Sequence, residues 1–173
     1  MNITVFLGSN PGRDEKYGRL AAQVGQMIAE GGHTLVYGGA SNGLMGILAD
    51  NVQKNGGHII GVIPTFFHEV QKTDVDELIV VGDMQERKKL LMDRGSMYIA
   101  LPGGIGTLEE MADAISALKL KHHQNYCIFM NLDGYYEPLK SVFQRMLDEG
   151  FADPASVEKI VFLDHAEDLR RYL

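Results

Sequence analysis

Along this chain, short uninterrupted apolar runs alternate with stretches whose apolar residues recur at helical spacing, and the alternation persists from end to end. Ile3 to Leu7, Thr34 to Tyr37, His58 to Ile63, Leu78 to Val81, Met97 to Leu101, Tyr126 to Met130 and Lys159 to Leu163 read as strands. Tyr17 to Glu30, Leu44 to Lys54, Met84 to Arg94, Leu108 to Lys121 and Tyr135 to Glu149 read as helices, with a short helix closing the chain. Strands that are apolar throughout belong in a parallel sheet covered on both faces, because each parallel neighbour must be reached by a helix-length crossover. The expected fold is therefore α/β: one doubly wound, Rossmann-like domain over residues 1–173. The one long irregular stretch, Pro64 to Glu77, is expected to form a loop over a site.

The helix expected over Leu108 to Leu120 carries apolar residues nearly all the way round, among them Leu108, Met111, Ala112, Ile115 and Leu118. One sheet cannot bury every face, so a subunit interface is expected there, with burial under a neighbouring helix of the same chain as the alternative.

Composition narrows the class. In 173 residues, 45% are hydrophobic and 23% charged, which fits an ordinary globular domain and excludes a disordered chain. No apolar run approaches the roughly 18 to 20 residues a membrane helix needs, and the start lacks a basic leader. The 16 Lys plus Arg against 23 Asp plus Glu give a net charge of −7, the wrong sign for a non-specific nucleic-acid binder. A single cysteine, Cys127, can form no internal disulfide, and a reducing, cytoplasmic location is expected. The six histidines show no metal-ligand spacing, so no metal site is expected.

The 20 glycines carry more information, because they cluster where strands give way to helices. In an open α/β sheet, ligands bind outside the carboxyl ends of the strands, where helix N-termini present free N–H groups. Two loops qualify: Val36-Tyr-Gly-Gly39-Ala-Ser-Asn42-Gly-Leu-Met-Gly46 and Leu101-Pro-Gly103-Gly104-Ile105-Gly106-Thr107-Leu-Glu109-Glu110. Neither carries the lysine of a triphosphate-binding loop. The first has Ala40 at the middle position of a dinucleotide fingerprint, and the next strand ends at Ile63-Pro-Thr65 without a ribose-binding acid. A mononucleotide or sugar phosphate suits these loops better than NAD.

Asp83-Met-Gln-Glu86 reads as a capped helix start, followed by Arg87 and Lys88. Arg87 alone could be a surface cation paired with Asp83 four residues back. Thr107-Leu-Glu-Glu110 matches the capping box, with Thr107 as cap. If the same turn binds phosphate, an ionised Glu110 must point away or be offset by an arginine.

Taken together, Met84-Gln-Glu-Arg87-Lys88 and Pro102-Gly-Gly-Ile-Gly-Thr-Leu-Glu-Glu110 resemble the paired signature M-x-x-R-K and P-G-G-x-G-T-x-x-E of the LOG (Lonely Guy) family, cytokinin riboside 5′-monophosphate phosphoribohydrolases. Tyr37 to Gly46 is similar to that family's earlier glycine loop. The resemblance implies hydrolysis of the N-glycosidic bond of an adenine-type nucleoside 5′-monophosphate, with no metal or organic cofactor, by a homodimer or larger homo-oligomer. It implies Arg87 and Glu110 as the catalytic pair. Lys88, Gly103, Gly104, Ile105, Gly106, Thr107 and Glu109 would line the phosphoribosyl site, Glu69 would touch substrate, and Ser9, Gly39 and Asn42 would contribute from the first two strand ends. Departures from the pattern are Ala40 for a glycine, Gln85 where histidine is common, and the missing tryptophan near Ser116-Ala117.

Two other readings stand beside this one. A nucleotide sensor of the same fold would bind without cutting, but pure binding has no need of an acid beside an anion site. The lysine decarboxylase label attached to some relatives would require pyridoxal phosphate on a lysine, and no lysine here has a context that singles it out.

Overall fold

Every residue of β1 (Asn2–Phe6) except the first is buried, because this strand lies in the middle of a seven-stranded, all-parallel sheet. The computed structural model describes all residues from Met1 to Leu173. The other strands are β2 (Thr34–Tyr37), β3 (His58–Pro64), β4 (Glu77–Val81), β5 (Met97–Ala100), β6 (Cys127–Met130) and β7 (Ile160–Leu163), in the spatial order β4-β3-β2-β1-β5-β6-β7. The chain thus winds outward from β1 to β4, returns to pair β5 with the other edge of β1, and winds outward again. The order reverses between β1 and β5, where strand ends leave a crevice in this kind of sheet.

Helices α1 (Lys16–Glu30) and α2 (Gly43–Lys54) cover one face; α3 (Met84–Arg94), α4 (Ile105–Lys119) and α5 (Glu137–Asp148) cover the other, and α6 (Pro154–Val157) is a single turn. The helical spacing of Leu20, Ala21, Val24 and Ile28 is what turns α1 toward the sheet. The polar residue in β1 has a place too: Thr4 is wholly buried, and its Oγ1 donates to the Leu91 carbonyl at 2.9 Å, fixing α3 against the sheet.

The seven strands fall where the apolar runs do, with ends shifted by a residue or two. Three differences have local causes. Helix α4 begins at Ile105 rather than Leu108, because the flexible Gly104 serves as its N-cap. The terminal helix is 3₁₀, over Ala166–Arg171. The stretch after β3 is not wholly irregular: Thr65–Val70 forms a 3₁₀ turn, and the chain then descends beside α2, with Gln53 Nε2 donating to Asp74 O (2.8 Å) and Ile59 N to Asp76 Oδ2 (2.8 Å). No helix is long and apolar enough to cross a membrane.

Candidate active site

A cavity of about 500 Å³ opens over the carboxyl ends of β1, β2 and β3, at the reversal of strand order. Ser9 and Asn42 come to it from the loops after β1 and β2, Arg87 and Lys88 from the first turns of α3, and Gly104, Ile105, Gly106, Thr107, Glu109 and Glu110 from α4. These residues, scattered over a hundred positions of sequence, are brought together by the parallel topology, which sets every strand's carboxyl end on one side.

At its centre Arg87 Nη1 donates to Glu110 Oε1 at 2.8 Å, and both side chains are nearly buried, 11% and 13% exposed. Arg87 is held from two further sides. Its Nε donates to the Val62 carbonyl at 3.1 Å, and its Nη2 lies against Gly38, where any Cβ would overlap it. Burial pushes the Glu110 carboxyl above the usual glutamate range, and the Arg87 charge and hydrogen bond only partly oppose it.

Of the two capping patterns read here, that of Asp83 holds and that of Thr107 fails. Asp83 does not pair with Arg87; it caps α3, accepting from Gln85 N (2.8 Å) and Glu86 N (2.9 Å). Nor does Thr107 cap α4. It sits inside the first turn, 4% exposed, beneath Gly103, and Glu110 turns to Arg87 instead of reaching back to the cap. A capping box is a local pattern, and the buried cation outweighs it.

The two glycine loops differ in kind. In the first, Gly39 has φ +76° with its missing Cβ against Ile63, and Cβ atoms at Gly43 and Gly46 would overlap the carbonyls of Ser9 and Ser41. Those glycines serve packing. In the second, Gly103 is just as constrained, since a Cβ there would stand 2.8 Å from Gly8 N, but a Cβ at Gly104 or Gly106 would meet no atom within 4 Å. The first helical N–H to bond back is that of Leu108, to Gly104 O at 3.2 Å, so the amides before it have no backbone partner. Tyr135 Oη and Tyr136 Oη hold the loop from behind, donating to Gly103 O and Leu101 O at 2.7 Å.

Lys88, the one lysine in the cavity wall, is held between Glu109 (2.8 Å) and Asp113 (3.1 Å). Gly39 and Gly103 lie behind the wall, and Glu69 is exposed on the 3₁₀ turn outside it. Gly38, Met45 and Met84 lie within the motifs read from the sequence but were given no part in the site, and Ile63, Phe67 and Val70, which complete the apolar end, lie in no motif. The hint for that end was the position of Pro64 to Glu77; the glycine loop marked Gly38 without its reason, since the demand on it comes from a helix 49 residues away. No group of three or more His, Cys, Asp or Glu side chains is placed to hold a metal ion.

A family model described as "Possible lysine decarboxylase" matches residues 45–173. The chain is 42% identical to the cytokinin riboside 5′-monophosphate phosphoribohydrolase of Rhodococcoides fascians, over 92% of this chain and 82% of that one. It is 38% identical to the enzyme of the same name, LOG7, of Arabidopsis thaliana, over 99% of this chain and 80% of that one. Among solved structures, the molybdenum cofactor binding protein of Rippkaea orientalis superposes with a TM-score of 0.74 at 24% identity, covering 99% of this chain and 93% of that one. The molybdenum cofactor carrier protein of Chlamydomonas reinhardtii gives 0.75 at 23%, covering 99% and 94%. At such identity these two speak for the fold alone. The extent and identity of the match to the hydrolases show that this chain belongs to the LOG family of phosphoribohydrolase enzymes.

Proposed function

We propose that the protein hydrolyses the N-glycosidic bond of an adenine-type nucleoside 5′-monophosphate, releasing the base and ribose 5-phosphate. The observation that carries this reading is the Arg87–Glu110 pair, buried at 2.8 Å beside a helix start whose amides are open. The phosphate sits on the amides of Gly104 to Thr107, where the α4 dipole favours an anion. That anchor leaves the base at the other end, against Met45, Ile63, Phe67, Val70 and Met84, a wall suited to a flat purine and an apolar substituent on it.

The anomeric carbon then lies between, near Glu110. Water adds its oxygen to C1′ as the C1′–N bond breaks, and the bonding pair leaves with the base. Ionised Glu110 takes a proton from that water and stabilises the developing positive charge, and one proton ends on the departing base. Arg87 orients Glu110 and keeps a carboxylate tolerable next to the phosphate. Lys88, occupied by two acids, shapes the wall rather than binding phosphate. The same engagement leaves the cavity no lysine for the decarboxylase chemistry its family description suggests.

Incubation with AMP and with isopentenyl-AMP, followed by chromatography for free base, tests the proposal. Base release by the parent is expected, with a loss of about a hundredfold or more in Glu110→Gln and Arg87→Ala. Tight nucleotide binding without release would instead make the protein a sensor.

The active unit in this reading is a homodimer or larger homo-oligomer. Helix α4 buries Met111, Ala114 and Leu118 against the sheet but leaves Ile105 83% and Leu108 41% exposed, an outward apolar stripe that a second copy would cover.

A further inference from the structure

The segment that supplies Phe67 and Val70 to the cavity has no buried residue of its own. Phe66 and Phe67 at its crest are 57% and 47% exposed. Such a segment cannot hold its place by packing, so its two attachments decide where it stands. One is Pro64, the end of β3. The other is a short set of contacts to the first glycine loop: Ser41 N and Ser41 Oγ both donate to Val70 O (2.8 and 3.0 Å), Gln71 bridges to Ala40, and Lys72 N donates to Gly39 O at 2.9 Å.

Below those contacts stands Lys72, whose side chain is only 7% exposed. Its ammonium lies 2.8 Å from Asp50 on α2 and 3.0 Å from Asp74, both carboxylates being well exposed. Burying an ammonium is costly, and an apolar residue there would avoid that cost; what the ion pair adds is a directed tie between the returning segment and the body of α2. No atom of this cluster lines the cavity.

We propose that Lys72 is a positioning residue for base recognition: tied to Asp50 and Asp74, it fixes segment 65–71 so that Phe67 and Val70 close the base end of the cavity. This rests on the placement of phosphate and base given above. It makes affinity for the base, and not the hydrolytic step, the quantity that Lys72 controls.

The test compares the parent with Lys72→Met, which keeps the buried stem and removes the charge, and with the double variant Asp50→Asn, Asp74→Asn, which removes the partners. In Lys72→Met the two acids left behind are exposed and resolvate, so the fold is retained. The expected result in both is a rise of about tenfold in KM for isopentenyl-AMP, with kcat within about twofold. Inhibition by ribose 5-phosphate, which does not reach the segment, stays unchanged. Amide hydrogen exchange across residues 65–72 speeds up in both variants.

An unchanged KM, a fall in kcat alone, equal weakening of nucleotide and ribose 5-phosphate, or unaltered exchange overturns the inference. If the parent binds AMP but releases no base, the hydrolase reading fails while this one is judged by calorimetry: weaker AMP binding in both variants, with faster exchange, sustains it. A parent that does not bind AMP at all overturns both.

Discussion

Glu110 is asked to be buried and ionised at once. Burial raises its pKa, the Arg87 guanidinium at 2.8 Å lowers it, and burial prevails, leaving a carboxylate poised nearer neutrality than an ordinary glutamate. If the ionised form does the work, activity falls as pH drops through that raised value. Removing Arg87 leaves burial unopposed, so the acid limb of the residual kcat/KM profile of Arg87→Ala is expected at higher pH than the parent's; an unmoved limb would assign it to another group. Stability runs the other way. A carboxyl whose folded pKa lies above its unfolded value contributes stability fully present below the unfolded value and lost as pH rises through the folded one. Glu110→Gln, permanently neutral, is therefore expected to melt no lower than the parent at neutral pH.

At the scale of elements, three helix N-termini stand near the cavity and each meets a different fate. That of α3 is satisfied by Asp83. That of α2 has no side-chain cap, but its glycines are committed to the carbonyls of Ser9 and Ser41. Only α4 combines an uncapped start with glycines that face open space. Adjacent glycines of one loop should thus respond differently to the same change. In Gly103→Ala the new methyl overlaps Thr107 and approaches Gly8 N at 2.8 Å, an overpacking expected to cost about 1–3 kcal/mol in urea denaturation. Gly104→Ala should stay within about 1 kcal/mol of the parent, because a poorer N-cap is offset by a less flexible unfolded chain. Its methyl enters the proposed phosphate position, so KM rises. Equal stability losses in the two would show that the open space is not real.

The whole molecule is shaped by the reversal between β1 and β5, which sets the cavity, and by faces left uncovered once the sheet is packed. Ile105, one of the two exposed apolar residues on α4, also lines the cavity, so association there would bring the interface next to the site. Sedimentation is expected to show the parent as a dimer or larger and Leu108→Glu shifted toward monomer. A monomeric parent at micromolar concentration would remove the interface from the account.

The linear order of residues determined the strands, the helices and the parallel arrangement, because burial on both faces of a sheet and on one side of a helix leaves period and run length in the chain itself. It also determined that Arg87, Glu110 and the second glycine loop belong to one family signature. It marked Asp83 correctly as the cap of α3 but misassigned Thr107, since capping patterns are short and many partners can satisfy them. The remainder depended on chain segments far apart meeting: the guanidinium that Gly38 must clear, the apolar end of the cavity, and Lys72 between two acids. Contacts of that kind leave no period and no local motif, because the groups that create the demand lie on other elements, and only their packing in three dimensions decides which residue answers it.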